Sequence, residues 1–216
     1  MHIEANLRTQ AVCLEARSLT CIRDDRTLFE DLEFRLEAGE TLLLEGRNGS
    51  GKTSLLRILC SIRLPDAGTV SWCGTDIQKL GADYHEHIAY VVHRDGIKQD
   101  LTPLENLHMA RALGRASTSK GCAEVLERFD LDGFEDIPTY NLSAGQQRRL
   151  ALARLLITES RLWILDEPFT SLDRHGIGLF EAIMEEHIAS GGMLVLTTHH
   201  KVNLNAATVK HISLSA

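Results

Sequence analysis

Two stretches of this chain hold residues whose types and spacing suit phosphate chemistry. Gly46-Arg47-Asn48-Gly49-Ser50-Gly51-Lys52-Thr53 fits the pattern G-x-x-x-x-G-K-T without a gap. Glycines at this spacing let the backbone curl until successive N–H groups face one anion. The eight residues, with Ser54 behind them, are therefore the expected cradle for nucleotide phosphates. Lys52 is expected to reach the β- and γ-phosphates, and the Thr53 hydroxyl to ligate Mg²⁺. The second stretch, RLWILDEPFTSLD over residues 161–173, is an apolar run ending in two acids. Asp166 suits a Mg²⁺ ligand, usually acting through water. Glu167, one residue on, is placed to polarise a water attacking the γ-phosphate. Adjacent acids in a solvated loop would do neither. A buried strand ending in them, downstream of a phosphate loop, favours the chemical reading.

Between the two lies LSAGQQRR, residues 142–149. Ser143 and Gly145, with Gln146 beside them, stand where a helix should begin. The hydroxyl, free N–H groups and helix dipole there can address an anion. Alone, the stretch reads only as a capped helix start. Its position between the phosphate loop and the acid pair gives it weight.

These residues must be positioned by regular elements. Val12 to Ser18 and Leu32 to Leu36 alternate apolar with polar, as half-exposed antiparallel strands do. The polar RDDRT lies between them as a turn. Thr41 to Glu45 is a short continuous apolar run, the pattern of a buried central strand. It enters the glycine loop, and helical spacing follows at Leu55, Leu56, Leu59 and Ile62. Further strands are expected at Thr69 to Trp72, Ile88 to Val92, Leu162 to Leu165 and Met193 to Thr197. Helical patterns run over Leu104 to Leu113, Ala123 to Phe129, Ala144 to Thr158 and Ile177 to Ala189. Strands alternating with helices imply an α/β fold with a mainly parallel sheet. The expected layout is one domain over residues 1–216. Residues 1–94 and 159–216 form its nucleotide core, with an antiparallel β edge region. Residues 95–158 form an inserted α-helical lobe.

Composition narrows the classes. The chain has 216 residues and a net charge of −7, which argues against broad nucleic-acid binding. No apolar run approaches the roughly 20 residues of a bilayer-spanning helix. The opening MHIEANLRTQ lacks an apolar segment and is not read as a signal peptide. Five cysteines in no CxxC pair suit buried free thiols in a reducing compartment. His85 and His87, an HxH pair in a polar stretch, are expected to be solvated surface rather than metal ligands.

With LSAGQ in that order, the sequence resembles the ABC ATPases over nearly its whole length, from about Leu14 to Ser213. The usual family motif is LSGGQ, so Ala144 is a mild departure. The resemblance implies a P-loop NTPase fold with a RecA-like core, ATP and Mg²⁺ as cofactors, and a homodimer burying two ATP molecules. In that dimer each chain's Ser143 and Gly145 would face the partner's γ-phosphate. SLD at residues 171–173 resembles the loop that crosses the dimer interface. His199, after MLVLTT, resembles the switch histidine; its neighbour His200 fits the TTH spacing less well. Seventeen residues follow His199 in this sequence, so the regulatory domain that many importers carry is not expected.

Two family features are missing. No aromatic residue lies upstream to stack on adenine; Arg23 or Ile22 is expected to cover the base, and Phe29 to be core. Where the family has a glutamine after the IAYVV strand, His93 and Arg94 stand. His93 is the expected substitute, with Gln99 further on. Within the family, RDDRTLFEDLEF, GIKQDLTPLENL, GFEDIP, LSAGQQRRLALARL and LWILDEPFTSLD resemble the ATPase subunits of bacterial cytochrome c maturation. That implies integral membrane partners, a peripheral place on the cytoplasmic side of the inner membrane, and haem export or haem-chaperone release. A transporter ATPase for lipid, peptide or drug is the alternative. A soluble ABC protein acting on ribosomes, DNA or iron–sulfur assembly fits less well, since this chain has one ATPase half, no coiled coil and an acidic balance.

Overall fold

A computed structural model describes residues 13–92, 96–114, 121–204 and 208–214. Its centre is a five-stranded parallel sheet. The strands are β3 (Glu40–Glu45), β6 (Ile88–Val91), β7 (Leu162–Asp166), β8 (Met193–Thr197) and β9 (Thr208–Ser213). Their order across the sheet is β6-β7-β8-β3-β9. Period-two geometry sends successive side chains to opposite faces, and β7 and β8 are apolar on both. Leu162, Ile164, Met193 and Val195 enter one core, whereas Trp163, Leu165, Leu194 and Leu196 enter the other. A sheet buried on both faces needs such continuous apolar strands.

The first core is closed by helix α1 (Lys52–Leu59) and a four-stranded antiparallel sheet. That sheet runs β2-β1-β4-β5, with β1 at Cys13–Arg23, β2 at Arg26–Glu37, β4 at Ala67–Trp72 and β5 at Thr75–Asp76. The two short helices α2 (Ile77–Leu80) and α3 (Ala82–His85) lead on to β6. The second core takes α4 (Pro103–Leu113), α5 (Cys122–Arg128), α6 (Ala144–Ala153) and α7 (Arg174–Ala189). Among the described residues between β6 and β7, the regular elements are therefore helical.

The antiparallel strands are longer than the alternation suggests. β1 extends through irregular pairing after Ala16 to Arg23, since a bulge lets a strand continue where alternation lapses. α6 stops at Ala153, and Arg154–Leu156 tighten into a 3₁₀ turn rather than continuing to Thr158. β9 is an element the apolar pattern missed. Among the described residues it pairs only with β3, at the sheet edge, and Lys210 on it bonds Glu40 and the Arg35 carbonyl. Polar, charged edges are ordinary because they discourage further pairing.

The five cysteines are buried and free. His85 is exposed, with Nε2 3.2 Å from the Cys60 carbonyl. His87 differs from the expected solvated surface: it is half-buried and stacks on Trp72 at 5.6 Å between ring centres. Among the described residues no helix is long and apolar enough to cross a membrane.

Candidate functional site

The phosphate loop leaves the carboxyl end of β3, and the acid pair leaves the carboxyl end of the nearby β7. In open α/β sheets ligands bind at this edge. The loop's course depends on its glycines. Gly46 has φ +145°, and a Cβ there would meet the Leu214 carbonyl at 2.5 Å. Gly51, φ +103°, caps α1, and a Cβ there would meet Leu28 at 3.0 Å. No other residue fits either place without displacing backbone or core.

A cavity of about 340 Å³ opens here, lined by Arg47, Asn48, Gly49, Gly51, Lys52, Thr53 and Ser54 from the loop and by Asp166 and Glu167 from the strand end. Arg23 and Leu28 complete its wall. Gly46 and Ser50 are not in that wall. The Ser50 hydroxyl is buried beneath the loop without a partner among the described residues, and its N–H is used within the turn by the Arg47 carbonyl at 3.1 Å. Lys52 Nζ donates to the carbonyls of Gly46 and Arg47, at 2.5 and 3.3 Å. The ammonium thus sits over the loop rather than out in solvent.

The acid end is a tight polar network. Asp166 is 7% exposed; its Oδ2 accepts from the Thr53 hydroxyl at 3.0 Å, and its Oδ1 from the Thr197 hydroxyl at 2.7 Å. Glu167 is half-buried and turns its backbone left-handed, φ +49°. Its carboxylate accepts from the His199 N–H at 3.3 Å and lies 3.5 Å from His199 Nε2. His200 turns away, its ring 5.9 Å from that of Phe169. Of the two histidines, His199 is the one beside the acid.

Ser143 and Gly145 do not reach this cavity. Ser143 is exposed and caps α6 by a reciprocal pair: its hydroxyl accepts from Gln146 N at 3.2 Å, and Gln146 Oε1 accepts from Ser143 N at 2.9 Å. Such a capping box fixes the helix start. Gly145 lies against the 171–173 loop, where a Cβ would come 3.0 Å from the Ser171 carbonyl. Gln99 reaches this segment, its side chain paired with that of Gln147 at 3.3 and 3.4 Å. His93, Arg94 and Asp95 lie outside the described residues, and with them the expected glutamine substitute.

The base-covering candidates separate. Arg23 lines the cavity, Ile22 is 41% exposed outside it, and Phe29 is core.

Two residues of this network escaped the sequence reading. Thr197 ends an apolar strand, and nothing in the sequence singles out its hydroxyl. Arg148 shares the buried face of α6 with Ala151 and Leu152; a charged residue on an apolar helical stripe was the available signal. Its guanidinium donates to the carbonyls of Glu167, Pro168 and Val92.

Residues 29–170, about two thirds of the chain, match the ABC transporter family. The chain belongs to that family. Among ABC proteins it is 48% identical over 203 residues to "Cytochrome c biogenesis ATP-binding export protein CcmA" of Nitrosomonas europaea, covering 94% of this chain and 95% of that one. The protein of the same name from Escherichia coli (strain K12) is 48% identical over 202 residues, 94% and 96% of the two chains. A solved structure described as the ATP-binding subunit of an ABC transporter superposes with a TM-score of 0.77 at 25% identity, covering 86% of this chain and 79% of that one. A putative ABC transporter ATP-binding protein from Pyrococcus furiosus has the same fold, with a TM-score of 0.78 at 20% identity over 92% and 96% of the chains. The chain is an ABC ATPase subunit, a nucleotide-binding protein of the P-loop class.

Proposed function

We propose that this chain powers a membrane complex of cytochrome c maturation by hydrolysing ATP, driving haem export or release of a haem-loaded chaperone. The observation that carries this choice within the family is the full-length likeness, 48% over 94% of the chain, to proteins named for cytochrome c biogenesis. The complex would contain integral membrane subunits, with this chain peripheral to them on the cytoplasmic side of the inner membrane.

The residues divide the work. Backbone N–H groups of the loop residues that line the cavity, Gly49 and Gly51 to Ser54 among them, and the Lys52 ammonium hold the phosphates, with Gly46 and Ser50 shaping the loop behind them. Glu167 accepts a proton from the water that attacks the γ-phosphorus as the bond to the bridging oxygen of ADP breaks. His199 orients the Glu167 carboxylate and reaches for the γ-phosphate. The adjacent oxygens of Thr53 and Asp166 suit a hard cation. Those two residues would hold Mg²⁺, which when bound neutralises phosphate charge. Arg23 covers the base.

Two copies are required by this reading. Ser143, Gly145 and Gln146 are absent from the wall of their own chain's cavity, and Ser143 is exposed at a capped helix start. A second copy brings that helix start to the first copy's γ-phosphate. Residues 1–94 and 159–216 act as the nucleotide core and 95–158 as the lobe that carries this contact.

The test is genetic and biochemical together. Cells lacking the chain should fail to attach haem to their periplasmic c-type cytochromes, and the Lys52→Ala chain should not restore attachment. Mild-detergent purification of the wild type should bring integral membrane subunits. Normal cytochrome c maturation beside loss of some other export would overturn the assignment.

A further inference from the structure

Glu167 is held in a backbone conformation that a side-chain-bearing residue ordinarily avoids. Left-handed backbone, φ +49° here, brings the Cβ of an L-residue too close to the following carbonyl oxygen. It persists only where the surroundings over-determine it. On the amino side, the Glu167 N–H donates to the Thr197 carbonyl at 3.2 Å and hydroxyl at 3.1 Å. On the carbonyl side Glu167 O accepts from two donors, the Thr170 N–H at 3.3 Å and, shorter and charged, Arg148 Nη2 at 2.8 Å.

The same guanidinium is 2% exposed and fastens more than one peptide. Its Nε donates to Pro168 O and its Nη1 to Val92 O, each at 2.9 Å, and Nη2 lies 3.5 Å from Asp166 O. One planar fork therefore ties the whole Asp166–Pro168 turn to the end of β6. Several donors at fixed angles are what a guanidinium offers and an ammonium does not. Arg148 rises from α6, the helix whose first turn presents Ser143 and Gly145. A single side chain thus joins the exposed helix start to the peptide that aims the Glu167 carboxylate.

We propose that Arg148 is a positioning residue for ATP hydrolysis: it keeps Glu167 left-handed and makes its aim depend on where α6 sits. This rests on the reading of Glu167 as base and of α6 as the partner-facing helix. In the two-copy arrangement α6 answers to the partner's nucleotide, whereas Glu167 acts on its own. A shift of α6 withdraws the charged donor from Glu167 O and leaves only the longer Thr170 bond, so the left-handed peptide is held less firmly. Hydrolysis at one site becomes conditional on how the same chain engages the other.

The full-length chain, in the membrane complex with which it co-purifies, tests this as Arg148→Met, Arg148→Lys, Glu167→Gln and the Arg148→Met/Glu167→Gln pair. Arg148→Met should lower kcat on the order of a hundredfold, the scale of a small misplacement. KM for ATP should change less than about threefold, because the phosphate loop is untouched. Arg148→Lys should recover part of the loss. On the Glu167→Gln background the Met substitution should add less than about twofold in single-turnover rate, because both act through one carboxylate. Full additivity there, a KM rise that accounts for the loss, or wild-type kcat in Arg148→Met overturns the proposal. Should the Met variant not fold, Arg148→Lys decides: lowered kcat with unchanged KM and melting supports the proposal, and unchanged kcat overturns it. Full turnover in Glu167→Gln removes the reading of the base and this proposal with it. Loss in Glu167→Gln beside wild-type turnover in Arg148→Met sinks this proposal alone.

Discussion

The parallel strands end in two kinds of place. At their carboxyl ends the chain is polar and conformationally costly. Gly46 stands at φ +145° and Glu167 at +49°, and the buried Asp166 carboxylate is held between two threonine hydroxyls. Near the amino ends of β7 and β8 the contacts are packing instead. Trp163 lies flat on His187, with ring centres 3.8 Å apart and planes 7° from parallel. Gly192 packs so close that a Cβ would come 2.3 Å from the imidazole. One end gives up stability to place charge, and the other supplies stability without touching ligand. Mutations should therefore separate cleanly, with turnover lost at one end and folding free energy at the other.

The largest separation is expected at Glu167. Glu167→Gln keeps shape and backbone but removes the proposed proton acceptor, and should lower ATP turnover of the assembled complex about 10²–10⁴-fold, the range of general-base catalysis. Thermal melting should stay within a few degrees of wild type. Unchanged turnover would show that Glu167 is not the base. A collapse of the melting temperature would show that the polar end also holds the fold.

The converse is expected at Trp163. Trp163→Ala removes a large ring from a site 2% exposed, and should cost about 3–5 kcal/mol of unfolding free energy. Urea titration measures it, and the comparison requires that folded protein keep turnover within about twofold. Loss of turnover at unchanged stability would break the division.

How much of this was legible beforehand follows from how far each interaction reaches along the chain. The Gly46–Thr53 loop, the Asp166–Glu167 pair and the Ser143 cap are contiguous, so residue type and spacing carried them. The apolar runs of β3, β7 and β8 were equally local. Arg148 was not, because its partners at Val92, Glu167 and Pro168 lie 56, 19 and 20 residues away and exist only once the sheet and α6 are packed. β9 was missed for a related reason. An edge strand needs no apolar face of its own, and its Lys210 is there to bond Glu40. That His187 lies beneath Trp163 had no sequence signal, since a histidine near a helix end reads as a dipole partner.

A smaller effect should appear when the packing end is titrated. Burial against Trp163 pushes the His187 imidazole from its usual 6.5 down to about 4. Below about pH 6.5 the unfolded chain takes up a proton that the folded chain refuses, so stability is intact above that pH and is lost as pH falls towards 4. Between pH 7 and pH 5 this group should remove about 2 kcal/mol. His187→Phe keeps a flat ring against Trp163 and should flatten that slope in urea midpoints. An unaltered slope would mean that other groups carry the acid sensitivity.

The smallest effect should sharpen the polar end, at Arg23. Its side chain forms part of the cavity wall beside Leu28, is exposed, and lies 3.5 Å from Asp24. A guanidinium stacked on a base in solvent contributes only about 0.5–1 kcal/mol, and it presents no donor–acceptor pattern that separates adenine from guanine. Arg23→Ala should weaken ATP and GTP binding alike, by about two- to fivefold on that scale, and leave kcat alone. Wild type should bind the two nucleotides with similar affinity. A strong preference for ATP in wild type, or selective loss of ATP binding in Arg23→Ala, would mean that the cavity reads the base edge. The polar end would then select its nucleotide as well as position the phosphates.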